Sequence, residues 1–318
     1  MELPKFGILI ATRNRPEQLA ALLESLTTST VQPNQVVIIS SGDQIANVIL
    51  KFTNRFPIKH LHIEGKGQIR QKMIGIKLLL PNLEWVAFLD DDLLLKIDAL
   101  QNIFKTILNH PDSKELIGVG FADSDRALTS NKPTFEIFYK IFGISTSRKG
   151  AVLRNGQNNS YMSLNSITQT SWLNGAAMWR KEIAESYGIP FLDASYSICE
   201  DLIFSYPQSK KGILIFDLSS QFSYQNFANT PQTGLEFFSA LTYWRMYFVL
   251  TNSELSIIAF LWAQIGRTIH FMLFRSEYEG KRRHSTRSAF LILIDVFILA
   301  IRRKPPLEIL KLRQSTNR

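Results

Sequence analysis

The sequence predicts an α/β fold, in which a mostly parallel sheet is flanked by helices, followed by apolar and amphipathic helices near the C-terminal end. Three observations predict it. Short β-rich apolar runs alternate with helical patterns in the first part of the chain, which is typical of a parallel sheet with crossover helices. Apolar residues make up 45% of the 318 positions, enough for a sizeable core. After about residue 235 the pattern changes to long apolar helices.

The elements follow in order from these patterns. Strands are predicted over 6–11, 35–40, 58–63, 84–89 and 116–121. Helices are predicted from Pro16 into the 27–30 cluster, then over 43–53, 67–80, 97–108 and 181–187. Residues 122–170 are polar and irregular, as is typical of a substrate-facing excursion, and regular structure is expected again over 172–180.

The net charge of +9 is concentrated near the C-terminal end. Residues 275–318 hold eleven basic and four acidic side chains, and the rest of the chain is nearly neutral. A nucleic-acid-binding domain would spread basic residues over its folded surface, and neither a zinc-finger nor an RNA-recognition pattern is present. We therefore expect no nucleic-acid partner.

Two C-terminal segments have the character of membrane-surface helices. In 257–274, Gln264, Arg267 and Thr268 fall on one side of an otherwise apolar helix. The apolar run 289–301 would span roughly 20 Å, short of the ~30 Å hydrocarbon core. Because basic pairs flank it, we expect association with a membrane surface, with packing on the catalytic domain or an oligomer interface as the alternative.

Cysteine usage and the first residues bear on the compartment. Cys199 is the only cysteine, which favours a reducing compartment. Residues 1–10 lack the long apolar region of a signal peptide. We expect a cytoplasmic protein, peripheral at the inner face of the cell membrane.

Three consecutive carboxylates, Asp90, Asp91 and Asp92, follow the fourth predicted strand. Open α/β sheets bind their ligands at the carboxyl ends of strands. Adjacent carboxylates repel one another unless a cation compensates them, and two of them can hold Mg²⁺ or Mn²⁺, which in turn binds a diphosphate. The alternative is that the acids cap the next helix.

Together with the segments 8–16 and 65–70, these acids resemble the family 2 glycosyltransferases, which have the GT-A fold and an Asp-x-Asp metal motif. The resemblance covers about residues 5–225. It implies a Rossmann-like GT-A catalytic domain over 1–230, with a nucleotide-sugar half to about residue 95 and an acceptor half over 96–230. The helical region 231–318 would follow it.

The resemblance also implies site residues. Asp92 and Asp90 would hold the metal. The nucleotide and donor would be bound by Thr12, Arg13, Asn14, Asp43, Gly67, Arg70, Asp90 and Asp91. Many relatives carry an acidic residue before the glycine to hold the base, and Ser40-Ser41-Gly42 lacks it. Asp43 is included as the residue that would substitute for it.

Two further segments complete the implied site. Glu200-Asp201 resembles the family's later acidic pair, in which Asp201 would take the proton of the acceptor hydroxyl and Glu200 would support it. Trp172, Asn174 and Gly175 would border the donor sugar and the acceptor, and the Trp172 ring would stack on a sugar.

The resemblance thus implies a metal-dependent, inverting transfer of one sugar from a nucleoside-diphosphate sugar to a hydroxyl of a glycan or lipid-linked acceptor, in cell-envelope polysaccharide synthesis. The Gln-x-x-Arg-Trp pattern of processive synthases is absent. A nucleotidyltransferase would carry a glycine in residues 11–15, and a dehalogenase-like phosphatase would carry its aspartates on the first strand. A peripheral membrane adaptor without enzymatic activity remains the third alternative.

Overall fold

The structure, a computed structural model, describes residues 3–125, 136–145, 149–159, 167–188, 198–225, 234–275, 282–304 and 308. The chain divides into two compact units. The first comprises Met1–Thr129 and Ser160–Asn226, and the second comprises Ser130–Asn159 and Phe227–Arg318.

The strands described in the first unit form a single nine-stranded sheet. Its strands are β1 (Phe6–Arg13), β2 (Gln35–Ser41), β3 (Ile58–His62), β4 (Trp85–Asp90), β5 (Leu93–Leu95), β6 (Leu116–Asp123), β7 (Thr168–Thr170), β8 (Ala177–Arg180) and β9 (Ile213–Tyr224). The order is β3-β2-β1-β4-β8-β6-β9-β5, and β7 also pairs with β9. Strands β1 to β4 are parallel, and β8 runs antiparallel between β4 and β6. The expectation of an α/β fold with a mostly parallel sheet is confirmed.

Ten α-helices are described along the chain. They are α1 (Pro16–Thr27), α2 (Ala46–Leu50), α3 (Gln68–Ile76), α4 (Ala99–Asn109), α5 (Glu136–Ile141), α6 (Lys181–Glu185), α7 (Glu200–Gln208), α8 (Gly234–Thr251), α9 (Ile257–His270) and α10 (Arg282–Ile301). Helices α5, α8, α9 and α10 belong to the second unit.

The core of the first unit follows from the apolar runs of the sequence. Strand β2 is buried along its whole length, as expected of a strand covered on both faces. Helix α1 packs through Leu19, Leu22, Leu23 and Leu26, which recur at helical spacing and are fully buried. The parallel pairing of β1 with β4 places their carboxyl ends side by side, with Ala11 opposite Asp90.

Helices α2, α3 and α6 are shorter than the sequence predicted, and α6 ends at Glu185 rather than at 187. Helix α2 begins at Ala46 rather than at 43, because the backbone N–H of Asp43 donates to Asn14 Oδ1 and stays in the loop. Helix α3 ends at Ile76 rather than at 80. There the side-chain amide of Gln35 donates to Leu78 O and accepts from Leu80 N, taking the groups that a longer helix would use.

Other differences concern strands. The stretch 172–180 is regular only from Ala177, and β5 and β7, of three residues each, were not predicted. The irregular segment 122–170 contains α5, within the part of it that the structure describes. The long strand β9 was missed because its second half is polar and bulged against β6.

The second unit is helical. Helix α10 contacts both α8 and α9, and Phe238, Phe271 and Ala289 form a small buried cluster. The polar side of α9 faces inward: Gln264 and Thr268 are buried, while Ile258 is 77% and Trp262 50% exposed. The Gln264 amide donates to Thr242 Oγ1 on α8, and this hydrogen bond explains why the polar side of α9 faces inward. Within the described residues, no helix is both long and apolar enough to cross a membrane.

Candidate active site

The three aspartates lie at the carboxyl end of β4, beside the end of β1. Asp91 is buried, and its carboxylate accepts from Thr12 Oγ1 at 2.7 Å and from Arg15 Nη1 at 2.9 Å. The same Arg15 nitrogen lies 3.2 Å from Asp92 Oδ2. Burial alone would lower the pKa of Arg15, but the charges of Asp91 and Asp92 raise it above its ordinary value. Asp91 therefore ties the loop after β1 to the acidic edge, and its neighbours remain partly exposed.

Asp90 stands at the centre of the site. Its Oδ1 accepts from Gln68 Nε2 at 2.7 Å and lies 3.8 Å from Lys72 Nζ. Burial of the carboxyl raises the pKa of Asp90 to about 6, against the opposing charge of Lys72. On its other side, a Cβ added to Gly175 would lie 2.7 Å from Asp90 Oδ2. Glycine at this position therefore leaves that oxygen room.

Glu200 is buried and held from two sides. Lys72 Nζ donates to its Oε1, and the Tyr187 hydroxyl donates to its Oε2. Burial would lower the pKa of Lys72, yet the charges of Glu200 and Asp90 raise it, so the ammonium stays charged. Burial and the Glu200 charge raise the pKa of Tyr187 well above its ordinary value, so the phenol stays a donor.

Aromatic rings back this buried ion pair. Phe88 meets Tyr187 edge to face with ring centroids 5.7 Å apart, and Phe204 lies 4.9 Å from both Tyr187 and Trp179. Apolar rings keep water away and strengthen the attraction between Lys72 and Glu200. The environment thus fixes Glu200 in place and occupies both of its oxygens.

Asp201 begins the first turn of α7 next to Glu200. Its Oδ1 accepts from the backbone N–H of Leu202 at 2.8 Å. Burial and the charge of Glu200 raise the pKa of Asp201 to about 7, which is suitable for a group that accepts a proton near neutral pH. Cys199, just before the pair, has φ of 65°, a left-handed conformation that non-glycine residues seldom adopt. Such strain often marks a functional site.

The residues expected to bind the nucleotide gather at the ends of β1 and β2 and the start of α3. Asn14 has φ of 54°, and its Oδ1 accepts from Asp43 N at 2.9 Å. A Cβ at Gly42 would lie 1.8 Å from that oxygen, so only glycine fits there. The buried Gln71 amide donates to Thr12 O and Ile39 O, which fixes the two strand ends together.

Three basic or glycine positions complete this side. Gly67 has φ of 126° directly before α3, and Arg70 Nη1 donates to Glu64 O at 3.1 Å. The Nε–H of Arg13 is buried and finds no acceptor in the described part of the chain, so a ligand oxygen would satisfy it.

The 172–175 segment is positioned by α7. Leu173 N donates to the buried Ser205 hydroxyl at 3.0 Å, and the Asn174 amide donates to Phe121 O at 3.2 Å. Trp172 is 7% exposed, and its ring meets Phe216 edge to face with centroids 6.0 Å apart. Trp172 thus packs against Phe216 in this structure, and the stacking of its ring on a sugar stays a prediction.

The acidic edge fits a divalent cation through Asp90 and Asp92. Their side chains are 32% and 34% exposed, whereas Asp91 is taken by Thr12 and Arg15. Hard cations bind oxygen ligands, and two carboxylates leave most of the coordination sphere to a diphosphate and water. In the described ranges, no three His, Cys, Asp or Glu side chains are grouped as a ready-made cation site.

Sequence reasoning missed the residues that hold the acids. These are Arg15, Gln68, Gln71, Lys72 and Tyr187. A lysine or glutamine on a helix is ordinarily solvated. The residues next to it in sequence do not indicate that it has a buried partner far along the chain. Only Arg15 offered a signal, because it directly precedes Pro16 in the segment that resembles the family's opening loop.

Known proteins resemble this chain in sequence. Residues 7–160 match the family model described as Glycosyl transferase family 2. The chain is 29% identical over 117 residues to the protein named as glycosyltransferase EpsH in Bacillus subtilis, covering 35% of this chain and 33% of that protein. It is 26% identical over 169 residues to a protein of Haemophilus influenzae named as a glycosyltransferase, covering 44% and 56%. The chain thus spans between a third and just over half of these relatives.

Solved structures share the fold. Staphylococcus aureus TarS 1–349 in complex with UDP-GlcNAc has a TM-score of 0.56 at 16% identity, over 92% of this chain and 81% of that one. The mannosyltransferase PcManGT from Pyrobaculum calidifontis, in complex with GDP-Man and Mn²⁺, has a TM-score of 0.53 at 12% identity, over 96% and 89%. The matched segment and the two relatives support a family 2 glycosyltransferase, and the solved structures share its fold.

Proposed function

We propose that the chain transfers one sugar, with inversion, from a nucleoside-diphosphate sugar to a hydroxyl group of a glycan or lipid-linked acceptor. One observation carries the proposal. Lys72 lies between Glu200 and Asp90, and so brings the acidic pair of α7 to the acidic end of β4. A proton acceptor and a pyrophosphate-binding edge in one place are what direct displacement at an anomeric carbon requires.

Asp201 is the proposed catalytic base. Both oxygens of Glu200 are engaged by Lys72 and Tyr187, so Glu200 is suited to position its neighbour rather than to accept a proton. Asp201 would take the proton of the acceptor hydroxyl as that oxygen bonds to the anomeric carbon and the bond to the diphosphate breaks. The charge that develops on the leaving diphosphate must then be neutralised.

Asp92, with Asp90 nearby, would hold the cation that supplies this neutralisation. When bound, Mg²⁺ or Mn²⁺ draws charge from the leaving diphosphate. Arg15 already contacts Asp92 and Asp91, and would hold the loop after β1 against the acidic edge. Gln68 would keep the Asp90 carboxylate in its orientation.

The donor would lie against the ends of β1 and β2. Thr12, Arg13, Asn14 and Asp43 would contact the nucleoside, and Gly67 and Arg70 would border the diphosphate. TarS and PcManGT were solved with UDP-GlcNAc and GDP-Man, which supports a nucleoside-diphosphate sugar as the donor class here. Asn174 and Gly175, close to Asp90, would border the transferred sugar.

We also propose that the second unit places the enzyme at the inner face of the cell membrane, in envelope polysaccharide synthesis. The outer stripe of α10 supports this: it consists of exposed apolar residues that recur at helical spacing, Phe290, Leu291, Ile294, Ile298 and Ile301. Exposed Arg287 and Arg302 flank the stripe. Apolar insertion combined with flanking positive charge suits an anionic membrane surface.

A binding panel tests the enzymatic proposal. UDP-, GDP-, dTDP- and CDP-sugars would be titrated into the protein by calorimetry, each with Mn²⁺ and with EDTA, and Asp92→Asn would be the variant. We expect one nucleotide class to bind only with the metal, and Asp92→Asn to weaken that binding at least tenfold. Metal-independent binding, or equal affinity in the variant, would refute the metal assignment.

A further inference from the structure

Two arginines of the second unit share one amide oxygen. Arg245 of α8 donates from Nη1 to Gln157 Oε1 at 2.7 Å, and Arg267 of α9 donates from Nη2 to the same oxygen at 2.9 Å. Their guanidinium groups are therefore separated by no more than two hydrogen bonds. Arg267 Nη1 also donates to Gln264 Oε1, and Arg245 Nη2 to Asn158 Oδ1, both at 3.3 Å.

The charge of Arg245 is not balanced by the described part of the chain. Arg245 is 4% exposed, the oxygens that accept its hydrogen bonds belong to neutral amides, and no carboxylate of the described residues forms an ion pair with it. Its buried Nε–H has no acceptor there either. Buried arginines are ordinarily paired with an anion, because removing a charge from water is costly.

We infer that Arg245 and Arg267 form a binding site for a phosphate group. Guanidinium groups bind phosphate oxygens through pairs of parallel N–H donors. Two guanidinium groups that already share one oxygen acceptor can therefore bind several oxygens of one phosphate group. Gln157, Asn158 and Arg267 are partly exposed, so an anion can approach from their side. The Gln157 amide oxygen lies between the two charges. A bound phosphate oxygen would displace this amide oxygen or bind beside it.

The inference goes beyond the proposed transfer reaction and uses none of its acids. A phosphate here can come from inorganic phosphate in solution or from the phosphate of a lipid-linked molecule. The two sources share the same recognition chemistry and differ in the apolar chain attached to it.

Calorimetric titration at constant ionic strength tests the site. The probes are inorganic phosphate, farnesyl phosphate as a lipid phosphate, and chloride as the control anion. We expect saturable binding of phosphate and none of chloride. Tighter binding of farnesyl phosphate would assign the site to a lipid-linked ligand, and equal or weaker binding would assign it to the free ion.

The variants use the geometry directly. Gln157→Glu is nearly isosteric and places a carboxylate between the two guanidinium groups, so we expect a higher Tm without phosphate and at least tenfold weaker phosphate binding. Arg267→Gln, which removes the partly exposed charge, should also weaken binding at least tenfold. Arg55→Gln, which alters an exposed arginine of the first unit, is the matched control and should bind normally.

The inference is overturned if phosphate does not bind the native protein saturably. It is also overturned if Gln157→Glu or Arg267→Gln binds phosphate as tightly as Arg55→Gln does. Should Gln157→Glu fail to fold, Arg267→Gln decides the question by itself.

Discussion

Lys72 Nζ donates a hydrogen bond to Glu200 Oε1 inside the first unit, although 128 residues separate the two in sequence. Both side chains are buried, and the same ammonium lies 3.8 Å from Asp90. The pair thereby joins the helix that carries the proposed base to the strand that carries the proposed metal ligands. Its energetics and its consequences for catalysis can be tested separately.

Removing the lysine charge should destabilise the fold. In Lys72→Met, Glu200 would be a buried carboxylate without its cation, and breaking a buried pair in this way costs about 3–5 kcal/mol. Glu200→Gln in the same background removes the stranded charge, so the double variant should recover part of the loss. Urea unfolding of the four proteins gives the coupling. Additive effects of the two changes would mean that the pair contributes no coupling to stability.

The pKa of Asp201 predicts how transfer depends on pH. A base must be deprotonated, and burial raises the pKa of this carboxyl to about 7. We therefore expect kcat/KM to fall about tenfold for each pH unit below 7 and to level off above it. A profile that is flat between pH 5 and 8 would contradict this assignment.

The same shift makes a prediction about stability. A carboxyl with a higher pKa in the folded chain than in the unfolded chain favours folding at low pH. This contribution is complete below pH 3.8, the ordinary pKa of an aspartate, and is lost as the pH rises through about 7. Asp201→Asn should therefore show a smaller loss of unfolding free energy between pH 4 and 8 than the native protein. An unchanged pH dependence would show that Asp201 titrates normally.

Gly175 tests the space around Asp90. In Gly175→Ala the new Cβ would lie 2.7 Å from Asp90 Oδ2, so the carboxylate must move. We expect kcat to fall about tenfold and the Mn²⁺ concentration for half-activation to rise, since misplacement by about 1 Å is costly in catalysis. Gly188→Ala is the control, because its Cβ would meet its nearest neighbour, Ser186 O, at an ordinary 3.5 Å. If both variants need the same Mn²⁺ concentration for half-activation, Asp90 does not bind the metal.

The apolar stripe of α10 predicts binding to anionic vesicles. Ile294→Ser with Ile298→Ser should reduce co-sedimentation with phosphatidylglycerol vesicles several-fold, because each change removes apolar area that would insert into the bilayer. Ile97→Ser alters an isoleucine of the first unit that is 59% exposed and should have no effect. If the native protein ignores the vesicles and instead loses a dimer on substitution, the stripe is an interface between copies.

The sequence predicted the parts of the fold that depend on local patterns. Strands β1 to β4 and helix α1 follow from apolar runs and from the spacing of Leu19, Leu22, Leu23 and Leu26. The acids were found because Asp90, Asp91 and Asp92 stand together at a strand end. Helices α2 and α3 were predicted too long, since side-chain contacts of Asn14 and Gln35 from other elements set their ends.

What could not be predicted depends on distant partners. Lys72 resembles any solvated lysine until α7 and Tyr187 are packed against it. Gln264 and Thr268 would be placed outside by composition alone, yet Thr242 draws the Gln264 amide inward and Ile258 and Trp262 turn outward. Local propensity carries no information about such pairings.

The most direct measurement of the central claim compares Asp201→Asn with the native protein, using the donor and acceptor that the native protein turns over. The account predicts that kcat falls by a factor of about 10² to 10⁴, while the Kd of the donor with Mn²⁺ stays within about twofold. Glu200→Gln should retain more activity than Asp201→Asn. Weak donor binding by Asp201→Asn, with kcat preserved at saturation, would contradict the assignment of Asp201 as the base.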